Sequence, residues 1–147
     1  MSDPRRSSTF ARLPRGTETI LLVDDEPSVR GLARTILTGC GYRVRDTGDP
    51  RDALAIIERE GPGYGLLLTD IIMPGMRGGV LAERITSICP SMQVLLMSGF
   101  PADLVLTCPD GSRRNFLPTP FTPQSLAHAV REALDKGRGC EMSPARV

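Results

Sequence analysis

Leu66-Leu67-Leu68-Thr69-Asp70-Ile71-Ile72-Met73-Pro74-Gly75 reads as a strand that runs into a carboxylate and then turns away. Three consecutive leucines without polar alternation fit a strand covered on both faces. Met73-Pro74-Gly75 carries ordinary turn chemistry and takes the chain off the sheet. A second apolar run, at 19–23, ends as abruptly in Asp24-Asp25. Two strands that both end in acid imply a shared acidic pocket at one edge of a sheet. Carboxylates within about 5 Å of one another repel by roughly 3 kcal/mol per ionised pair at an effective dielectric of about 20, so such a pocket requires a cation.

Outward from these runs, β-rich segments alternate with amphipathic helical ones. Strands are expected at 19–23, 42–45, 65–69, 93–97 and 115–117. The first helix follows Glu26, with Pro27 preset for its opening turn and Val29, Leu32, Ala33, Ile36 and Leu37 on one face. Asp49-Pro50 repeats that start ahead of Ala53, Ile56 and Ile57, and Gly61-Pro62-Gly63 closes the second helix. Leu81, Ile85 and Ile88 stripe the third helix, with the glycines of Met76-Arg77-Gly78-Gly79 shaping its start. Thr122 and Pro123 open the last helix, where Leu126, Ala129, Val130, Ala133 and Leu134 recur at helical spacing. In 101–112 the short 104–106 run is broken by Pro109-Asp110-Gly111, so a fourth helix there is short or absent. The alternation predicts an α/β fold, a parallel sheet flanked by helices on both faces. Ligands then bind at the carboxyl ends of strands, where Asp24, Asp25, Asp70 and Ser98 stand.

A hard divalent cation fits three carboxylates, and Mg²⁺ fits best where one or two of them share the metal with water and a phosphoryl group. A remaining oxygen of Asp70 can then attack phosphorus and form an aspartyl phosphate. Taken singly these residues say less. Asp24-Asp25 alone reads as helix-capping acid favoured by the helix dipole, and Asp70 alone as a strand-end turn residue.

The chain has 147 residues and 40% hydrophobic content, which suits one domain with one core. Residues 1–16 and 137–147 read as tails, the first flexible, around a folded unit at 17–136. A net charge of +1 excludes a global field for nucleic acid or membrane binding. Cys40, Cys89, Cys108 and Cys140 lack the paired spacing of a zinc or redox site, which fits a reduced cytoplasmic protein. No apolar run approaches the roughly 20 residues needed to cross a bilayer, and the N-terminus lacks the apolar core of a signal peptide. Lys136 is the only lysine.

The ordered set Leu22-Val23-Asp24-Asp25-Glu26, Thr69-Asp70-Ile71-Ile72-Met73-Pro74-Gly75, Met97-Ser98-Gly99 and Phe116-Leu117-Pro118-Thr119-Pro120-Phe121 resembles the receiver domain of two-component response regulators. The Met-Ser-Gly-Phe and Phe-Thr-Pro stretches are similar to receivers attached to hybrid histidine kinases. The resemblance implies a flavodoxin-like sheet of strand order 2-1-3-4-5, with the receiver at 17–136. It implies that Asp70 is the phosphoacceptor, that Asp25 and Asp70 ligate Mg²⁺ with the backbone carbonyl of Ile72, and that Asp24 holds a metal-bound water. Ser98 matches the hydroxyl that hydrogen-bonds the phosphoryl group, and Thr119-Pro120 matches a cis bond. Phe116 matches a switch aromatic, although its residue type fits core packing equally well; Phe121 reads as packing and His128 as a surface residue.

One position departs from the family pattern. Receivers carry a lysine before the proline that follows the last strand, and here that place holds Thr119. A charge-assisted hydrogen bond of about 1.5–3 kcal/mol is thereby lost. Arg113 and Arg114 precede the strand and belong at its opposite end. The expected function is a single-domain receiver, not an enzyme in the ordinary sense, that takes a phosphoryl group from a histidine kinase or phosphotransfer protein. With no output domain after it, it acts on a downstream protein through the face of the fourth helix, fifth strand and last helix, without direct nucleic acid or membrane contact. The alternative is a phosphorylation-independent interaction module, supported by Thr119. A phosphatase-like hydrolase using Asp70 lacks a substrate-binding cap.

Overall fold

The structure, a computed structural model, describes residues 13–99 and 115–142. Chain order among these residues is β1 (Thr19–Val23), α1 (Pro27–Gly39), β2 (Arg43–Thr47), α2 (Pro50–Glu60), β3 (Leu66–Asp70), α3 (Gly78–Ile88), β4 (Gln93–Ser98), β5 (Asn115–Pro118) and α4 (Pro123–Met142). The five strands form one parallel sheet in the order β2-β1-β3-β4-β5, the flavodoxin-like order expected. The segment 101–112, where a fourth helix is expected to be short or absent, together with Arg113, Arg114 and 1–12 of the expected N-terminal tail, lies outside the described residues.

Helix starts follow their capping chemistry. Glu26 accepts from the Ser28 N–H ahead of α1, and Asp49 accepts from the Arg51 N–H at 2.9 Å ahead of α2. Thr122 and Ser125 cap α4 reciprocally, each side-chain oxygen accepting the other's backbone N–H, at 3.0 and 2.8 Å.

The leucine-rich strands are buried on both faces, with residues alternating between two cores. Ile20, Leu22, Leu66, Leu68, Leu95, Met97 and Leu117 meet α1 and α4 on one side. Leu21, Val23, Leu67, Val94 and Leu96 meet α2 and α3 on the other. Each such side chain contributes about 1.5–3 kcal/mol relative to exposure. β2 is an edge strand, and its exposed Arg43 and Arg45 discourage further strand pairing there. Phe121 packs on the first core and His128 is exposed, as expected.

Several local expectations need correction. Leu32 is 52% exposed, because the buried stripe of α1 centres on Ala33, Ile36 and Leu37 and Leu32 lies roughly 95° round the helix from that centre. Ile88 is 42% exposed, since α3 ends there and its last turn clears the sheet; it borders a shallow cleft with Ile57 and Pro90. Leu13 is only 4% exposed and joins the α1 and α4 core, so ordered packing begins before the expected boundary at residue 17. α4 continues to Met142, beyond residue 136, since Gly137 and Gly139 are tolerated within it. Strands β2, β3, β4 and β5 each end one or two residues later than expected.

Arg131 of α4 clamps the end of the sheet where the strands begin. Its guanidinium donates to Glu18 at 2.7 Å, to the Arg15 carbonyl at 3.1 Å and to the Tyr42 hydroxyl at 3.3 Å. The pairing with Arg131 holds the Glu18 carboxyl below its usual range.

Candidate functional site

Strand register carries the acidic residues to one edge. Val23, the last residue of β1, pairs with Thr69 of β3, and Asp70 pairs with Met97, so Asp24 just after β1 and Asp70 and Ser98 at the ends of β3 and β4 share one edge. Asp24, Asp25 and Asp70 each offer a carboxylate oxygen, and these atoms all lie within 4.8 Å of one another. Asp24 is buried, Asp70 half-buried and Asp25 exposed.

Local bonds fix two of the three. The Glu26 N–H donates to Asp24 Oδ1 at 2.9 Å, and the Ile72 N–H donates to Asp70 Oδ1 at 3.3 Å. Among the described residues the Asp25 carboxylate has no hydrogen-bond partner. Burial pushes the Asp24 carboxyl up to about 6; repulsion from Asp70 and Asp25 adds to that rise, and the Glu26 N–H opposes it. A cation would relieve the same repulsion. The donor set is all oxygen, which fits a hard divalent ion such as Mg²⁺ and offers nothing to a soft one.

The turn after Asp70 is built tightly. Ile71 and Met73 are buried, while Ile72 points outward at 48% exposure. Gly75 has φ +86°, which a glycine adopts without strain. The Gly78 N–H donates to the Ile71 carbonyl at 2.7 Å, and a Cβ on Gly78 would run into the Asp70 carbonyl oxygen. Of the glycines expected to shape the start of α3, Gly78 lets that helix sit directly against the Asp70 backbone, whereas Gly79 has open space around it.

Across the sheet, Ser98 is buried at the end of β4, and its carbonyl accepts from the Thr119 N–H at 2.9 Å. Thr119 precedes a cis peptide bond to Pro120, and its hydroxyl lies beside Gly99, where an added Cβ would come within 3.2 Å. The side chain at that place is therefore neutral. Phe116 pairs with Leu96 and packs, partly buried, against the α2 and α3 core. It stands deeper in the sheet than the acidic group.

Sequence reasoning missed a basic group on the opposite flank. Arg30 Nη1 donates to the Asp24 carbonyl at 2.7 Å, and its Nε donates to Asp46 Oδ2 at 3.2 Å. Arg34 Nη1 donates to the other oxygen of Asp46. The available signal was register: parallel pairing of Val23 with Thr47 sets Asp46 beside the end of β1.

Similarity to known proteins agrees with this arrangement. The sensor kinase CckA of Brucella abortus (strain 2308) is 33% identical over 122 residues, which cover 82% of this chain but 13% of that protein. The response regulator receiver protein CpdR of the same organism is 32% identical over 116 residues, or 78% of this chain and 95% of that protein. The crystal structure of the receiver domain from the hybrid histidine kinase CckA matches with a TM-score of 0.68 at 32% identity, covering 79% of this chain and 98% of that one. The chain thus corresponds to a small part of the kinase and to nearly all of the receiver proteins it resembles. The family model of the response regulator receiver domain matches residues 20–131, and with it the chain belongs to the response regulator receiver family.

Proposed function

We propose that the chain is a phosphorelay receiver in which Asp70 accepts a phosphoryl group from a histidine kinase or phosphotransfer protein. The observation that carries this reading is the convergence of Asp24, Asp25 and Asp70 within 4.8 Å at the strand ends. Asp25 and Asp70 would hold Mg²⁺ with the Ile72 backbone carbonyl, and Asp24 would hold a water on it. Bound there, Mg²⁺ offsets the negative charge shared by carboxylate and phosphoryl oxygens. A carboxylate oxygen of Asp70 attacks phosphorus; the new O–P bond forms as the P–N bond to the donor imidazole breaks. Ser98 hydrogen-bonds the transferred group, and Phe116 reports its presence by moving relative to the core it packs on.

Likeness to the sensor kinase CckA supports a kinase as donor, and a downstream protein is the proposed recipient of the signal. The setting is the cytoplasm; no described helix is long and apolar enough to cross a membrane. Incubation with acetyl phosphate and Mg²⁺, followed by intact-mass measurement, tests the assignment. The wild type should gain one phosphoryl mass and Asp70→Asn should not.

Thr119 favours a second reading, an interaction module that keeps the fold without switching. Under that reading the wild type gains no mass.

A further inference from the structure

We propose that Arg30 is a positioning residue for the metal site, latched by Asp46 so that it fixes the turn carrying Asp24 and Asp25. The inference rests on the Mg²⁺ reading above.

The Asp24 carbonyl shares a rigid peptide plane with the Asp25 N–H. Arg30 Nη1, at 2.7 Å from that carbonyl, therefore sets the direction in which Asp25 leaves the strand. Asp24 is also tied through its N–H to the Thr47 carbonyl at 3.2 Å and through Oδ1 to the Glu26 N–H at 2.9 Å. Among the described residues the Asp25 carboxylate has no such ties, so its place in the acidic group is inherited from the backbone. Repulsion from two neighbouring carboxylates drives it outward, and the clamp opposes that drift.

Arg30 acts by geometry more than by charge. Its guanidinium is paired with Asp46, which stands outside the acidic group and is itself shared with Arg34. One planar fork spans two acceptors, the Asp24 carbonyl and Asp46, which an ammonium cannot reproduce. Gly48 leaves the room for it: a Cβ there would stand 2.6 Å from Arg30 Nη1 and 3.5 Å from the Asp24 carbonyl oxygen. Gly48 does not occupy the left-handed region, so space and not backbone conformation makes glycine suitable.

Calorimetric Mg²⁺ titration of the full chain tests this, with thermal melts of each metal-free variant alongside. Arg30→Ala should weaken Mg²⁺ binding about tenfold, the scale on which groups that orient metal ligands act. Asp46→Ala and Gly48→Ala should weaken it in the same direction, although neither residue belongs to the acidic group. Arg30→Lys should fail to restore wild-type affinity. Unchanged affinity in all three variants, full rescue by lysine, or losses that merely track a smaller folded fraction would each overturn the proposal. Wild-type protein that binds no Mg²⁺ would remove the metal reading and the clamp together, whereas wild-type binding with unaffected variants removes the clamp alone.

Discussion

Asp24 is the residue where folding and function pull in opposite directions. A carboxyl raised from an ordinary 3.8 to about 6 by burial stabilises the fold below its unfolded value and loses that contribution as pH climbs through its folded one. Metal-free protein should therefore lose on the order of 2–3 kcal/mol between about pH 4 and about pH 6. Asp24→Asn should lack that fall, and melting curves in chelator across this range check it. Thr119 sharpens the same conflict by leaving its side of the pocket neutral. The wild type should bind Mg²⁺ about tenfold more tightly than Thr119→Lys, whose ammonium would compete with the cation. Weaker binding by the wild type in a parallel titration would contradict this. The three carboxylates were legible in the sequence because each ends or follows an apolar run. Arg30 was not, because its two acceptors come from the end of β1 and from β2, and no local pattern joins them.

At the scale of elements, the β3-to-α3 connection converts a strand end into a presented carboxylate. Gly78 packs so closely on the Asp70 carbonyl that any side chain there must displace the backbone. Gly78→Ala should destabilise by about 1–3 kcal/mol and slow phosphoryl uptake from acetyl phosphate. Gly79, with open space around it, is the control: Gly79→Ala should leave uptake unchanged and be neutral or stabilising by about 0.5–1 kcal/mol. Equal effects of the two substitutions on uptake would contradict the packing argument. Sequence marked the glycine-rich turn as the start of a helix. Which glycine matters depended on how near the helix approaches the preceding strand, a tertiary distance with no signature in composition.

Across the whole molecule, the two ends of the parallel sheet do separate work. Arg131 joins α4 to Glu18, Tyr42 and the Arg15 carbonyl at the end where strands begin, while the acidic group stands where they finish. Arg131→Ala should cost about 1.5–3 kcal/mol in denaturant unfolding yet leave Mg²⁺ affinity unchanged. The layer order was legible because uninterrupted apolar strands alternate with one-sided helices. Leu13 and Ile88 were misjudged for the opposite reason: an apolar residue between an arginine and a proline, outside any periodic run, and the last residue of a stripe are placed by packing at element ends. The central claim is that Asp70 takes a phosphoryl group with the help of a divalent cation at this edge. Its most direct test is mass measurement after acetyl phosphate treatment with Mg²⁺ or with chelator, with fragmentation to locate the modified residue. A phosphoryl gain on Asp70 that requires Mg²⁺ is the predicted result; no gain, a gain on another residue, or an equal gain in chelator would contradict it.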